Sequence, residues 1–251
     1  MTLQDFFRDH PKAALAFSGG VDSAYLLYAG RSCGAELRPY YVKTQFQPRF
    51  EYEDALRLCR ELGAEPRVLG LDALADPQVA ANGPERCYYC KIRIMSTIWA
   101  AAREDGYELL LDGSNASDQA GDRPGMRALK ELGVLSPLRL CGLTKPEIRR
   151  LSKEAGLFTW KKPAYACLAT RVRTGERLSP ETLRAVEESE DFLFSLGFTD
   201  FRVRTGAGEA LLQFPAEQLN IARDREAEIR VKLEPLFSEI RIDPEGRKKS
   251  L

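Results

Sequence analysis

Between residues 12 and 154 the chain repeats one pattern: a short apolar run of strand length, a turn, then a stretch with apolar positions every three or four residues. A strand that hands over to a helix before the next strand must pair in parallel, and a parallel sheet buries both its faces under helices. The runs at 12–17, 37–46, 65–74, 107–115 and 134–140 read as strands, with helices over 23–34, 51–63, 88–106 and 144–156, the last capped by Thr144. A polar loop leads into a shorter helix before residue 133. Near residue 160 the pattern gives way to a basic, turn-rich stretch, and the chain then reads as helix 180–197, strands 201–206 and 209–215, helix 217–237 and strand 239–243. The expectation is an α/β fold, a parallel sheet flanked by helices, over residues 1–176, followed by a smaller α+β domain over 177–251.

Composition narrows the partners. Lys plus Arg and Asp plus Glu both number 37, so no overall basic field exists to gather nucleic acid. No apolar run approaches the roughly 20 residues that span a bilayer, and the first residues lack the basic flank and apolar stretch of a secretory signal. A cytoplasmic protein without a membrane partner is expected.

The first strand-to-helix turn carries the chemistry. Ser18-Gly19-Gly20-Val21-Asp22-Ser23 places two glycines where backbone N–H groups converge at the positive end of a helix, a seat for phosphate. It has neither the lysine of the G-x-x-x-x-G-K-[ST] loop nor the spacing of G-x-G-x-x-G. The six residues resemble the PP-loop of the ATP pyrophosphatase superfamily, which splits ATP into AMP and pyrophosphate; Ser18 and Ser23 would supply the hydroxyls. Asp22 suits a polyanion only through a cation, and Mg²⁺ bridging its carboxylate to phosphate oxygens resolves the conflict. The plain alternative is a glycine-rich turn whose acid is favoured by the helix dipole.

Six cysteines are unevenly spaced, which argues against a secreted disulfide framework. Cys87 and Cys90 form a C-x-x-C pair at the mouth of a helix, and Cys167 lies in the basic loop. The only histidine, His10, is remote, so a closed zinc site would need Cys141 or an acid as fourth ligand. Three cysteines around a [4Fe–4S] cluster leave one iron open to a non-protein sulfur. A redox-active Cys87/Cys90 pair and ordinary thiols remain open readings, and Cys33, Cys59 and Cys141 are assigned to packing.

Together, Ala16–Ser23, Cys87–Lys91, the Leu110–Asp118 stretch, the Gly121–Gly125 turn, Trp160–Arg171 and Leu196–Arg204 resemble the LarE family over nearly the whole chain. The resemblance implies a PP-loop domain joined to a smaller C-terminal domain. It implies ATP-dependent conversion of pyridinium-3,5-biscarboxylic acid mononucleotide to its thiocarboxylated form, for a nickel-pincer cofactor, by a homo-oligomer. ATP activates each carboxylate and sulfur displaces AMP. One branch of the family sacrifices a single cysteine and is left with dehydroalanine; another carries three cysteines and is similar to cluster-dependent thiolation enzymes. Cys87, Cys90 and Cys167 match the second branch, and the sacrificial position falls on Ala166. Carried over by motif, Ser18, Gly19, Gly20, Asp22 and Ser23 meet the pyrophosphate part of ATP, and Gly113 lies near the adenosine. Glu190, Arg202 and Arg204 match positions associated with substrate phosphate or catalysis.

Strand alternation puts Arg202 and Arg204 on one face, where two guanidinium groups suit a phosphate or simply face solvent. Lys91 and Arg171 are cations suited to charge developing on an acyl phosphate, and Arg123 shares that role unless it pairs with Asp122 in a turn. Two rival enzymes share the superfamily logic: a tRNA thiolation enzyme, disfavoured by the neutral charge balance, and an ammonia-using synthetase, which needs no cysteine triad. A non-catalytic nucleotide-binding or iron–sulfur protein is the third.

Overall fold

The computed structural model describes residues 1–118 and 124–247; Asp122 and Arg123 lie outside them. Contacts divide the chain into two compact units, Met1–Ala73 with Glu85–Lys162, and Leu74–Pro84 with Pro163–Leu251.

The first unit holds α1 (Leu3–Asp9), β1 (Lys12–Ala16), α2 (Val21–Ser32), β2 (Glu36–Lys43), α3 (Arg49–Glu61), β3 (Arg67–Gly70), α4 (Arg86–Glu104), β4 (Leu110–Leu111), α5 (Pro124–Glu131) and α6 (Lys145–Glu154). The four strands form one parallel sheet in the order β3-β2-β1-β4. Because side chains alternate across a strand, the sheet feeds two cores. Ala13, Leu15, Tyr41 and Leu111 join Phe6, Leu27 and Leu58 on one face. Ala14, Tyr40, Val42 and Leu110 join Met95, Ile98 and Ala102 of α4 on the other. These near-continuous apolar runs are what a sheet covered on both sides requires.

β1 is flanked by β2 on one side and β4 on the other, so the chain order reverses at β1 and a crevice opens beyond the carboxyl ends of β1 and β4. α1, which the sequence reading omitted, starts on a capping box between Thr2 and Asp5. The strand expected over 134–140 is instead a single parallel bridge, Leu111 to Leu135, followed by a one-turn helix Pro137–Leu140. Pro137 lacks an N–H to extend the ladder, and its fixed φ suits the first helical position.

The second unit contains α7 (Pro180–Ser195), capped by Ser179, then β5 (Arg202–Gly206), β6 (Glu209–Gln213), α8 (Leu219–Asp224), α9 (Glu226–Leu233) and β7 (Glu239–Ile242). β5 and β6 are an antiparallel hairpin, and β7 pairs parallel with β6. Leu193, Phe201, Val203, Leu212, Phe214, Ile229 and Ile240 form its core. The single helix expected over 217–237 is broken at Arg225, which leaves helical geometry at φ −102°, ψ 11°.

Candidate functional site

The six-residue turn lies at the strand-order reversal. Gly19 adopts φ +75°, open to glycine at little cost, and a side chain there would put its Cβ 2.7 Å from that of Ala55 on α3. Gly20 occupies the N-cap of α2 and offers no capping side chain, so the first N–H groups of this 12-residue helix have no intrahelical acceptor and remain for a ligand. The two hydroxyls brace the loop: Ser18 and Ser23 Oγ lie 3.1 Å apart, Ser23 Oγ donates to the Gly20 carbonyl at 3.2 Å, and Ser18 N–H donates to Ser23 Oγ at 3.3 Å. Gly113, just past β4, approaches the same helix end so closely that a Cβ would lie 2.9 Å from Ser23 N. An alanine there would collide with backbone.

Asp22 is held by two donors that the sequence reading missed. Lys145 Nζ, at the first position of α6, lies 2.5 Å from Asp22 Oδ2, and Asn115 Nδ2 donates to Oδ1 at 3.2 Å. The loop after β4 is itself tied down. Asn115 N–H donates to Asp118 at 2.9 Å, Arg139 donates to the Asp118 carbonyl at 2.7 Å, and the Lys145 N–H donates to Ser117 Oγ at 2.9 Å. Buried Asp112 accepts from Ser114 and Ser136, each at 2.5 Å.

These groups border a cleft of about 330 Å³. Its polar rim is Ser18, Asp22, Ser23, Lys91, Asp112 and Asp118, and its apolar wall includes Phe17, Val42, Ile94 and Met95. A polyphosphate fits the rim and a flat heterocycle fits the wall. Of the residues predicted to meet ATP, Ser18, Asp22, Ser23 and Gly113 line this cleft, Gly19 and Gly20 shape the turn beside it, and Lys91, expected as a cation for the acyl phosphate, lines the cleft as well.

Cys87 and Cys90 sit in the first turn of α4, three residues apart and therefore neighbours on one helix face. Cys87 is exposed and Cys90 half-buried. Cys167 belongs to the second unit, where it precedes a 3₁₀ turn, Leu168–Arg171. Among the described residues, no group of three or more His, Cys, Asp or Glu side chains gathers as a site for a metal ion.

Glu190 on α7 is 1 % exposed and organises the second unit. Its carboxylate accepts from Arg171 Nε at 2.7 Å, from the Val203 N–H at 3.0 Å and from the Tyr165 hydroxyl. Burial, then the charge of Glu190, pushes the Tyr165 phenol far above its ordinary range. Arg202, on the same face of β5 as Arg204, donates to the carbonyls of Ala164 and Phe201 at 2.6 Å each. Burial, reinforced by Arg171 and Arg247, brings its guanidinium down to about 10, so it keeps its charge at neutral pH. Arg204 donates to the Thr170 carbonyl at 2.6 Å and borders a second cleft of about 590 Å³ with Arg173, Arg241 and Thr170. The paired arginines thus grip the Cys167 loop by its backbone, a role the sequence pattern did not signal.

No family model matches the chain. The uncharacterized protein slr1717 of Synechocystis sp. is 34% identical over 219 residues, 86% of this chain and 81% of the relative. Pyridinium-3,5-bisthiocarboxylic acid mononucleotide synthase of Lactiplantibacillus plantarum is 30% identical over 223 residues, 87% of this chain and 80% of its own length. A glutamine-hydrolyzing GMP synthase of Aeropyrum pernix is 30% identical over 71% of this chain and 38% of its own length.

Proposed function

The chain belongs to the LarE family of pyridinium-3,5-bisthiocarboxylic acid mononucleotide synthases, and on that premise we propose that it thiolates the carboxylates of pyridinium-3,5-biscarboxylic acid mononucleotide at the expense of ATP. The observation that carries the reading is the uncapped, glycine-lined start of α2 at the strand-order reversal, with Ser18, Ser23 and Lys91 on the rim of one cleft.

In the proposed reaction a substrate carboxylate oxygen attacks the α-phosphorus of ATP, the bond to the β-phosphate oxygen breaks, and pyrophosphate leaves with the bonding pair. The first N–H groups of α2 and the hydroxyls of Ser18 and Ser23 hold that leaving group, and Lys91 balances charge on the acyl adenylate. A sulfur nucleophile then adds to the acyl carbon, the carbon–oxygen bond to AMP breaks, and a thiocarboxylate remains. Asp22 and Asp118 are hard oxygen donors on the cleft rim and suit Mg²⁺, which would neutralise phosphate charge. Family resemblance assigns Cys87 and Cys90, one helical turn apart, and Cys167 as thiolate ligands of a [4Fe–4S] cluster, which would supply the sulfur. Arg204, Arg173 and Arg241 around the second cleft are suited to the mononucleotide phosphate. Family resemblance adds a homo-oligomer, and the sequence's lack of a bilayer-spanning apolar run favours the cytoplasm.

The test is anaerobic incubation of the purified protein with ATP, Mg²⁺ and the mononucleotide. AMP and pyrophosphate should form in equal amounts, with exchange of oxygen for sulfur in the product by mass spectrometry. Iron and sulfide analysis accompanies it. Loss of sulfur from Cys167 in iron-free protein would replace cluster delivery with a sacrificial cysteine. Pyrophosphate release without any thiolated product would refute sulfur transfer.

A further inference from the structure

Cys167 is the last residue before the 3₁₀ turn Leu168–Arg171, with φ −56° and ψ 152°. Its carbonyl accepts twice from one residue, from the Thr170 N–H at 2.9 Å and from the Thr170 hydroxyl at 2.8 Å. Thr170 is in turn held at two points: Arg171 NH1 donates to its hydroxyl at 2.9 Å, and Arg204 NH1 donates to its carbonyl at 2.6 Å. Arg171 is 1 % exposed and anchored on Glu190, and Leu168 and Ala169 are fully buried. A continuous chain of hydrogen bonds therefore runs from the most buried ion pair of this unit, Glu190–Arg171, through the Thr170 hydroxyl to the backbone of Cys167.

We propose that Thr170 is a positioning residue for Cys167: its hydroxyl transmits the fixed orientation of Arg171 to the Cys167 backbone and so sets where the sulfur points. The importance of that orientation for thiolation rests on the function proposed above; the positioning itself does not. The hydroxyl is suited to the task because it donates to one neighbour and accepts from another at once, which neither valine nor alanine can do. A side chain needed only to fill space would not require either bond. Thr170 also borders the second cleft, as does Arg204, so the same residue lies between the arginine-lined cavity and the cysteine.

The experiment compares Thr170→Val, which keeps shape and backbone amide but deletes both hydroxyl bonds, with Thr170→Ser, which keeps them. Cys167 alkylation by iodoacetamide is followed peptide by peptide by mass spectrometry in folded, iron-free full-length protein. Losing the two bonds should raise the Cys167 rate in the valine variant about three- to tenfold, the range a hydrogen bond's net free energy gives. The serine variant should match the wild type, and Cys87, as internal control, should not change. A Cys167 rate in Thr170→Val equal to wild type overturns the proposal. Should that variant fail to fold, Arg204→Gln removes the other hold on Thr170 from an exposed side chain, and the same acceleration is expected. In turnover, Thr170→Val should lower kcat for thiolated product about tenfold or more with little change in KM for ATP, with recovery in Thr170→Ser. Altered alkylation in a protein whose wild type makes no thiolated product would uphold the positioning and defeat the functional reading. Unaltered alkylation in an active thiolase would do the reverse.

Discussion

Replacing Lys145 by alanine should weaken ATP binding about 30-fold if the Ser18–Ser23 turn is the phosphate seat proposed above, because Lys145 is the cation that neutralises Asp22 beside it. The pair is 2.5 Å apart and both side chains are only about a quarter exposed, at 25% and 21%. Two unit charges near 4 Å interact by about 4 kcal/mol at an effective dielectric of 20, and partial exposure to water roughly halves that. Without Lys145, Asp22 keeps only the neutral Asn115 donor and presents its charge to an incoming polyphosphate. The loss is thus about 2 kcal/mol. Isothermal titration with a non-hydrolysable ATP analogue measures it, with and without Mg²⁺. Added Mg²⁺ should recover part of the loss, since a divalent ion on the Asp22 carboxylate replaces the missing charge. Asp22→Asn combined with Lys145→Ala should cost less than the sum of the two changes, as expected for groups in contact. Wild-type affinity in Lys145→Ala, or strict additivity with Asp22→Asn, would refute the argument.

Gly113→Ala forces a Cβ to within 2.9 Å of Ser23 N, so it should displace the start of α2 and cut ATP-dependent pyrophosphate release about tenfold or more, at an overpacking cost of about 1–3 kcal/mol in urea unfolding. Glu190→Gln leaves the Arg171 guanidinium buried without its counter-charge and should lower unfolding stability by about 3–5 kcal/mol, read from the denaturant midpoint of the second unit; a loss below about 1 kcal/mol would show that the pair is dispensable. Burial pushes the Cys59 thiol up to about 12, so in folded, iron-free protein at pH 8 iodoacetamide should label exposed Cys33 and Cys87 and leave Cys59 unmodified. Burial also raises the Glu51 carboxyl, against the opposing pull of Lys162. Its folded pKa lies above the unfolded one, so its contribution is present below the ordinary carboxylate range and is lost as pH rises through the folded pKa; Glu51→Gln should flatten that decline in thermal unfolding curves.

What could be read from the sequence follows a physical divide. Strand runs such as Lys12–Ala16 and the Ser18–Ser23 strand-to-helix turn are local: buried strands are short and apolar, and the proposed phosphate seat is contiguous because it is made of successive N–H groups. The fourth strand shrank to Leu110–Leu111, and the run at 134–140 became a bridge and a helical turn. There apolar residues pack whether the backbone is paired or not, and Pro137 decides against pairing. Lys145 and Asn115 were not legible at Asp22, since 123 and 93 positions separate them from it and only the fold joins the three. Nor could alternation foresee that Arg202 and Arg204, placed on one face as expected, spend hydrogen bonds on the carbonyls of Ala164 and Thr170.

On the proposed function, the Lys145–Asp22 pair explains why the turn can omit the lysine that follows the glycines in the other phosphate loop. A lysine inside the loop would sit beside the phosphate at all times. Here the ammonium arrives from the start of α6 and is held by a carboxylate of the loop itself, so anion and cation are both in place before nucleotide binds. A seat that, as proposed, cradles pyrophosphate through bond cleavage and then releases it would benefit from such a partner. Asp22 would then compete with the departing anion for the same ammonium, weakening the product's hold without weakening the backbone cradle. Pyrophosphate should therefore dissociate faster from the wild type than from Asp22→Asn, measurable by stopped-flow release after ATP cleavage. Slower release from the wild type would leave Asp22 without a role in product release.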